Sequence, residues 1–146
     1  MPELPNSTKV LITIPDLFVG GTEIHTLNLV KALVSGGYDV SICCHYDHDS
    51  TMVAKFNETG GKIILMGLRR SEGLLALFIK VMGLFKKVRP AIVHVQYIAP
   101  GLIPIVAAKL AGIKKVFATV HQPGRTYGLK AKLLIRTAAY LCDGFF

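Results

Sequence analysis

The stretch that decides the fold is residues 10–44, VLITIPDLFVGGTEIHTLNLVKALVSGGYDVSICC. It opens with a short continuous apolar run, which is typical of a strand covered on both faces. After the glycine pair Gly20–Gly21, apolar residues recur at helical spacing, and a second glycine pair then precedes another apolar run. The stretch therefore predicts a strand–helix–strand unit with a glycine loop between the first strand and the helix.

The same alternation continues to the end of the chain. It predicts an α/β fold, a Rossmann-like doubly wound parallel sheet with helices on both faces. In the first helix, Thr22 is the predicted N-cap and Gly36–Gly37 the stop signal. The predicted strands are 9–14, 38–45, 62–67, 91–97, 114–121 and 144–146, and the predicted helices are 22–35, 50–58, 72–88, 102–110 and 129–141.

Length and composition favour one folded domain. The chain has 146 residues, of which 51% are hydrophobic, enough for a core of ordinary size. No basic-then-apolar leader opens the sequence, and the longest apolar run, 73–85, is interrupted by Lys80 and is shorter than the roughly 20 residues a bilayer span needs. We expect a cytoplasmic protein, with peripheral contact at the inner face of a membrane as an open alternative.

The cysteines and the loop histidines do not predict a metal centre. Cys43 and Cys44 are adjacent on a predicted strand, so their side chains should point to opposite faces. Three cysteines without metal-type spacing indicate reduced thiols. His45 and His48 flank acidic residues, but no partner cluster supports a metal there. We expect no metal and no cofactor.

The charge distribution indicates an anionic partner. The net charge is +8, and no acidic residue lies between Glu72 and Asp143. An anionic membrane surface and a merely solvated basic face both remain open. Nucleic acid is not expected, since aromatic residues are only 8% and no stacking platform is apparent. The basic residues of this span are Lys80, Lys86, Lys87, Arg89, Lys109, Lys114, Lys115, Arg125, Lys130, Lys132 and Arg136.

Three loops should meet at one edge of the sheet. In open parallel sheets, ligands bind beyond the carboxyl ends of the strands, near the point where the strand order reverses. The loops PDLFVGGTE (15–23), QYIAPG (96–101) and HQPGRTYG (121–128) all follow predicted strands. Their convergence makes this edge the predicted site.

The glycine loop suits an anion. Gly20 and Gly21 carry no side chains that block approach, and the helix start behind them offers free N–H groups and a partial positive charge. The alternative is a tight turn capped by Thr22. A dinucleotide fingerprint and a Walker loop both fail, because neither the third glycine nor a Gly-Lys-Ser/Thr follows.

The histidines divide into three situations. His121 ends the fifth predicted strand, where it can hydrogen-bond a sugar hydroxyl or be satisfied by nearby backbone. His94 lies within the fourth strand, which favours a satisfied core or near-core histidine. His25, on the first helix, faces either the cleft or solvent.

Together, residues 9–44, RPAIVHVQY (89–97) and AGIKKVFATVHQPG (111–124) resemble the N-terminal domain of the retaining glycosyltransferases of family 4, which have the GT-B fold. The resemblance implies that residues 1–146 form the acceptor-binding half of the enzyme. A second Rossmann-like domain, absent from this chain, would bind most of a nucleotide-sugar donor. The sugar would pass to a saccharide or lipid-linked acceptor, without a catalytic metal.

The resemblance also implies roles for single residues. Gly20 and Gly21 would lie against the donor phosphates or an anionic acceptor, with Glu23 opening the helix behind them. His121, the catalytic candidate, would lie near the transferred sugar. The predicted acceptor cleft is lined by Gln96, Tyr97, Gly124 and Arg125.

Two departures from the family pattern fall on the ligand edge. Gln96 stands where many members have a second histidine, and Gln122–Pro123 intervene before Gly124. Both bear on acceptor choice. Two other functions remain open, a Rossmann-like module that binds a nucleotide or phosphate without transfer, and half of a nucleotide-sugar epimerase of the same architecture.

Overall fold

The computed structural model describes residues 7–96, 102–121 and 128–146. Within them, six parallel strands form one sheet in the order β3-β2-β1-β4-β5-β6. The predicted fold class is confirmed. The strands are β1 (Lys9–Ile14), β2 (Asp39–Cys44), β3 (Lys62–Leu65), β4 (Ile92–Gln96), β5 (Lys115–Thr119) and β6 (Gly144–Phe145).

Five α-helices connect the strands, as the apolar periodicity predicts. A short 3₁₀ turn, Arg70–Glu72, precedes the third helix. No helix in the described ranges is both long and apolar enough to cross a bilayer. The helices are α1 (Gly21–Ser35), α2 (Ser50–Asn57), α3 (Gly73–Val88), α4 (Ile103–Leu110) and α5 (Leu129–Leu141).

The helices form two layers, one on each face of the sheet. α1 and α2 pack on one face through residues such as Leu27 and Phe56. α3, α4 and α5 pack on the other through residues such as Val81 and Ile105. Because successive strand side chains alternate between faces, the predicted opposition of Cys43 and Cys44 is confirmed, with Cys43 in the α3–α5 core and Cys44 in the α1–α2 core.

The strand order reverses between β1 and β4, which are hydrogen-bonded neighbours with Ile12 opposite His94. β2 and β3 extend the sheet on one side of this pair, and β5 and β6 extend it on the other. The carboxyl ends of β1, β4 and β5 therefore lie side by side at the switch point. This arrangement places the ends of the strands that precede the three predicted loops at one edge.

The start of α1 differs from the prediction. The N-cap is Gly20 and the helix begins at Gly21, so the prediction of Thr22 as cap is wrong. Gly20 has extended backbone, and its carbonyl already accepts the N–H of Ile24 at 3.0 Å. The carbonyl of Thr22 accepts the hydroxyl of Thr26 at 2.7 Å, which places Thr22 within the first turn.

The end of β5 also differs. The ladder with β4 ends where Thr119 pairs with Gln96, so His121 lies in a bend two residues beyond the strand and is not its last residue. The intervening Val120 donates its N–H to the carbonyl of Phe146 at 2.7 Å. His121 remains at the predicted edge.

Candidate functional site

The loop after β1 is anchored before it reaches the glycines. The side chain of Leu17 is fully buried in the α1–α2 core. Its N–H donates to the carbonyl of Asp47 at 3.0 Å, and its carbonyl accepts the N–H of Asp49 at 2.8 Å. These bonds tie the β1–α1 loop to the β2–α2 loop.

Phe18 and Val19, which follow Leu17, are exposed at the same edge, with 47% and 68% of their surface accessible. The sequence pattern did not single them out.

The two glycines have different surroundings. The carboxylate of Glu23 folds back over Gly20, since a Cβ at Gly20 would lie 2.6 Å from its Oε2. A Cβ at Gly21 would meet no atom of the described residues within 4 Å. A carboxylate in the first turn already offsets part of the positive end of the helix dipole. An incoming anion therefore has open access at Gly21 and must displace Glu23 at Gly20.

On the other side of the switch point, Gln96 and His121 are in contact. The Gln96 side chain is fully buried at the end of β4, and its Oε1 lies 2.5 Å from Nε2 of His121. The amide nitrogen of Gln96 has no partner among the described residues. The structure thus brings two predicted site residues together and leaves hydrogen-bonding capacity beside them.

α1 contributes a third polar group. The rings of His25 and His121 meet edge to face, with centroids 5.1 Å apart and planes at 67°. The sequence left the direction of His25 open, and the structure directs it toward the site. A positional signal exists, because His25 lies one helical turn after Gly21, on the part of α1 nearest the ligand edge.

His94 is satisfied, as predicted. Its Nε2 lies 2.8 Å from the hydroxyl of Thr119, one strand away. Thr119, the last residue of β5, was not predicted as part of the site, although it lies only two residues before His121. We call His25, His94, Gln96, Thr119 and His121 the His121 cluster.

His94 and His121 stay neutral at physiological pH. Burial lowers the pKa of His94 to about 4, with further lowering by the neighbouring His25 and His121. Burial and then His25 lower the pKa of His121 as well. Each imidazole therefore keeps one N–H donor and one lone pair, which suits hydroxyl ligands better than it suits anions.

A second polar group lies across the edge, at the ends of β1 and β2. The carboxylate of Asp16 accepts from Arg70 Nη2 at 2.5 Å and from the Asp47 N–H at 3.1 Å. The Arg70 guanidinium lies over the Tyr46 ring, 4.4 Å from its centroid. We call Asp16, Tyr46, Asp47 and Arg70 the Asp16 cluster. Within it, the charges of Asp16 and Arg70 offset each other.

Some predicted residues receive no structural description. Tyr97, Gly124 and Arg125 lie outside the described residues. Within the described ranges, no three histidine, cysteine or acidic side chains converge as metal ligands. His45 is buried at the end of β2, whereas His48 is exposed in the loop that follows.

A groove of about 570 Å³ lies at the opposite, amino edge of the sheet, between the ends of α3 and α4. It is lined by Lys86, Arg89 and Lys114 over an apolar floor that includes Phe85 and Ile113. Ligands of doubly wound sheets bind at the carboxyl edge, and the C-terminal ends of the two helices make this groove a poor anion site. The candidate functional site is the edge that holds Gly21 and His121.

Comparison with known proteins decides the family. Residues 19–145 match the sequence profile of Glycosyltransferase Family 4. The chain belongs to Glycosyltransferase Family 4. The match covers the loop at Gly20–Gly21 and every residue of the His121 cluster. Apart from residues 9–18, the segments on which the resemblance was based therefore lie inside the family domain. No curated protein sequence matches the chain significantly.

Solved structures share the fold of this family 4 domain. A glycosyltransferase from Rickettsia africae ESF-5 aligns with TM-score 0.72 and 22% identity, over 93% of this chain and 35% of that one. MurG from Acinetobacter baumannii aligns with TM-score 0.68 and 14% identity, over 94% and 40%. A UDP-GlcNAc 2-epimerase from Methanocaldococcus jannaschii aligns with TM-score 0.67 and 14% identity, over 95% and 39%. The family 4 chain thus spans about two fifths of these proteins and corresponds to one half of a GT-B fold.

Proposed function

We propose that this family 4 domain is the acceptor-binding half of a glycosyltransferase that moves a sugar from a nucleotide-sugar donor to a saccharide or lipid-linked acceptor. The observation that carries the proposal is the His121 cluster, a set of uncharged and imidazole hydrogen-bonding side chains near the backbone at Gly21, in which His94 and His121 are neutral. Neutral imidazole and amide groups match sugar hydroxyls, which both donate and accept. In this proposal Tyr97, Gly124 and Arg125 complete the acceptor cleft, and no metal takes part.

The proposal requires a second wall. Sugar transfer depends on holding donor and acceptor in line, and the leaving diphosphate needs donors fixed in a site that excludes water. The His121 cluster supplies hydroxyl contacts, and the backbone at Gly21 supplies an anion contact on one side only. We assign most of the nucleotide-sugar site to a further Rossmann-like domain beyond these 146 residues.

The experiment that tests this function is transfer by the full-length enzyme with His121→Ala. His48→Ala is the matched control, because His48 is an exposed histidine on the same edge, outside the His121 cluster. We expect transfer to fall by about tenfold or more for His121→Ala, since each 1.4 kcal/mol of lost transition-state contact is about tenfold. His48→Ala should leave transfer unchanged. Equal activity of the two variants at matched thermal stability would contradict the proposal.

The alternative enzyme is a nucleotide-sugar epimerase. It is favoured by the fold likeness to UDP-N-acetylglucosamine 2-epimerases, such as the protein from Listeria monocytogenes with TM-score 0.69 and 15% identity. The two functions differ in product. Incubating the full-length enzyme with a nucleotide-sugar alone should give no epimer if it is a transferase. Epimerised donor without any acceptor would establish the alternative.

We further propose that the outer surface of α3, α4 and α5 contacts an anionic membrane, where a lipid-linked acceptor would be found. These three helices carry seven lysine and arginine residues and no acidic residue, whereas α1 and α2 carry two basic residues and one acidic residue. Large apolar side chains are also exposed there. They are Leu74, Leu75 and Ile79 on α3, Leu110 on α4, and Leu129, Leu133, Leu134 and Tyr140 on α5.

The pairing of exposed apolar residues with one-signed charge supports a membrane over a solvated face. Apolar side chains gain by entering the interface, and each basic residue near anionic lipid adds roughly 1 kcal/mol. Leu75 and Ile79 are 72% and 60% exposed on α3, one turn apart, with Lys80 beside them. They form one stripe on the helix.

Co-sedimentation with liposomes at low salt tests the membrane surface. We expect the chain to bind vesicles rich in anionic lipid and to be released by salt. Ile79→Glu should weaken that binding, whereas Lys55→Glu on α2 is the control in the other layer. Equal, negligible binding to anionic and neutral vesicles would overturn the membrane contact.

A further inference from the structure

Gln96 is the buried partner of His121. We infer that Gln96 is a positioning residue, whose Oε1 holds the proton of His121 on Nε2, so that His121 offers Nδ1 to a ligand as a hydrogen-bond acceptor. The identity of the ligand as a sugar hydroxyl rests on the proposed function. The assignment of the proton rests on the geometry alone.

The geometry restricts the tautomer. Oε1 of Gln96 lies 2.5 Å from Nε2 of His121. A carbonyl oxygen can only accept a hydrogen bond, so the imidazole must donate from Nε2. In a neutral imidazole the other nitrogen then has no proton and carries the lone pair. Gln96 thereby decides which hydrogen-bonding role His121 can play.

A buried polar side chain at Gln96 needs a structural explanation. A wholly buried amide is costly unless it is hydrogen-bonded, and an apolar residue would fill the end of β4 without that cost. The neighbouring strand positions Val93 and Val95 are buried valines on the opposite face. The bond to His121 is the contact in the described residues that accounts for the Gln96 side chain.

The surroundings of His121 keep it neutral, as the assignment needs. Among the described residues, the titratable group that faces it is His25, with ring centroids 5.1 Å apart, and His94 lies next in the same cluster. A proton on His121 would place a positive charge beside both imidazoles and in a half-buried site. At neutral pH the ring therefore has one donor, used by Gln96, and one acceptor, Nδ1, which we infer is offered to a ligand.

This tautomer has a consequence for specificity. The Nδ1 lone pair accepts from a hydroxyl, whereas it repels a phosphate or carboxylate oxygen. His121 would thus contact a sugar hydroxyl, and an anionic group would be received elsewhere, at the open backbone of Gly21. The two parts of the site would recognise different parts of the ligands.

The test is ¹⁵N NMR of the imidazole rings in this chain, where each of the five histidines gives its own pair of signals. We expect His121 to be the Nε2–H form at pH 7.5. Gln96→Glu should keep that form and raise the pKa of His121 by about 1 unit or more, because a carboxylate stabilises the imidazolium. Gln96→Leu should give a mixture of the two tautomers. An Nδ1–H form in the unaltered chain would overturn the inference.

Thr119→Val is the matched control, since it removes the partner of His94 and leaves Gln96 in place. It should change the His94 signals and not the His121 tautomer. A pure Nε2–H form of His121 in Gln96→Leu would also overturn the inference. If that variant does not fold, the unaltered chain and Gln96→Glu decide. The spectra do not depend on sugar transfer, so loss of the proposed function and loss of this inference are distinguishable.

Discussion

The Asp16 cluster and the His121 cluster occupy the same edge of the sheet, on opposite sides of the switch point. In the Asp16 cluster, opposite charges meet. Asp16 bonds Arg70 and a backbone N–H, and Arg70 stacks on Tyr46. In the His121 cluster, His94 and His121 are neutral, and the amide nitrogen of Gln96 is without a partner among the described residues.

This difference in unused hydrogen-bonding capacity suggests different roles for the two clusters, one structural and one in ligand binding. A polar group that meets its hydrogen-bonding needs within the protein holds loops together and gains little from a ligand. A group with an unused donor or lone pair at an open edge gains a bond when a ligand arrives. In our proposal, the Asp16 cluster fixes the loop that leads to Gly20, and the His121 cluster receives the ligand.

The largest expected effect is on the structural side. Leu17→Ala removes a fully buried side chain that anchors the loop next to the Asp16 cluster. We expect a loss of about 2–5 kcal/mol in the free energy of unfolding, measured by urea denaturation. Val19→Ala, at an exposed position two residues on, is the control and should change stability little. A loss below about 1 kcal/mol for Leu17→Ala would show that the loop is not anchored there.

Acid should destabilise the fold through its buried histidines. Burial lowers the pKa of His45 and of His94 to about 4, so the folded chain binds fewer protons than the unfolded chain. Stability is then full above about pH 6.5 and falls as pH drops toward 4, by at most about 1.4 kcal/mol per pH unit for each histidine.

Urea denaturation at pH 7 and pH 5 measures this effect. Between pH 7 and pH 5 the titration of Asp143 contributes little. Its pKa is lowered from 3.8, first by the hydrogen bond from the Val116 N–H and then by Lys109. His45→Leu and His94→Leu should each flatten the dependence. If the free energy of unfolding depended on pH as steeply in both variants as in the unaltered chain, these two histidines would not be the cause of the acid effect.

A smaller effect is expected at the glycine loop of the ligand-receiving side. In the full-length enzyme, Gly21→Val should lower transfer by about tenfold, because a branched side chain covers the open backbone that an anion approaches. Stability should change little, since a Cβ at Gly21 meets no atom of the described residues within 4 Å. Unchanged kinetics at unchanged stability would leave Gly21 as a turn residue only.

The smallest effect is expected for the ion pair itself. The Arg70 side chain is 55% exposed, and surface pairs of this kind contribute about 0–1 kcal/mol. Arg70→Gln should therefore reduce stability slightly, less so at high salt, and leave transfer unaltered. Lys62→Gln, at another exposed pair, serves as the comparison. A strong loss of transfer in Arg70→Gln would place the Asp16 cluster in the ligand site and break the distinction between the two clusters.

The sequence predicted the fold because apolar periodicity and glycine pairs act locally. Alternating strands and helices with right-handed crossovers predicted a doubly wound parallel sheet, whereas the residue contacts at its edge could not be predicted. The Gln96–His121 bond joins residues 25 positions apart, and the direction of His25 depends on how α1 rotates against the sheet. The position of the Glu23 carboxylate over Gly20 could not be predicted from the sequence either, because it depends on the side-chain rotamer of Glu23. The loop positions of Tyr97 and Arg125 stay predictions.

The most direct test of the central claim is an NMR titration of this chain, followed at all five histidines, with nucleotide-sugars and with free saccharides. The account predicts millimolar saccharide binding that shifts the imidazole signals of His25, His94 and His121 and leaves those of His45 and His48 in place, with nucleotide-sugars bound weakly or not at all. Saccharide shifts confined to His45 and His48, or micromolar binding of a nucleotide-sugar, would contradict the claim that this edge receives the acceptor and that the donor site lies elsewhere.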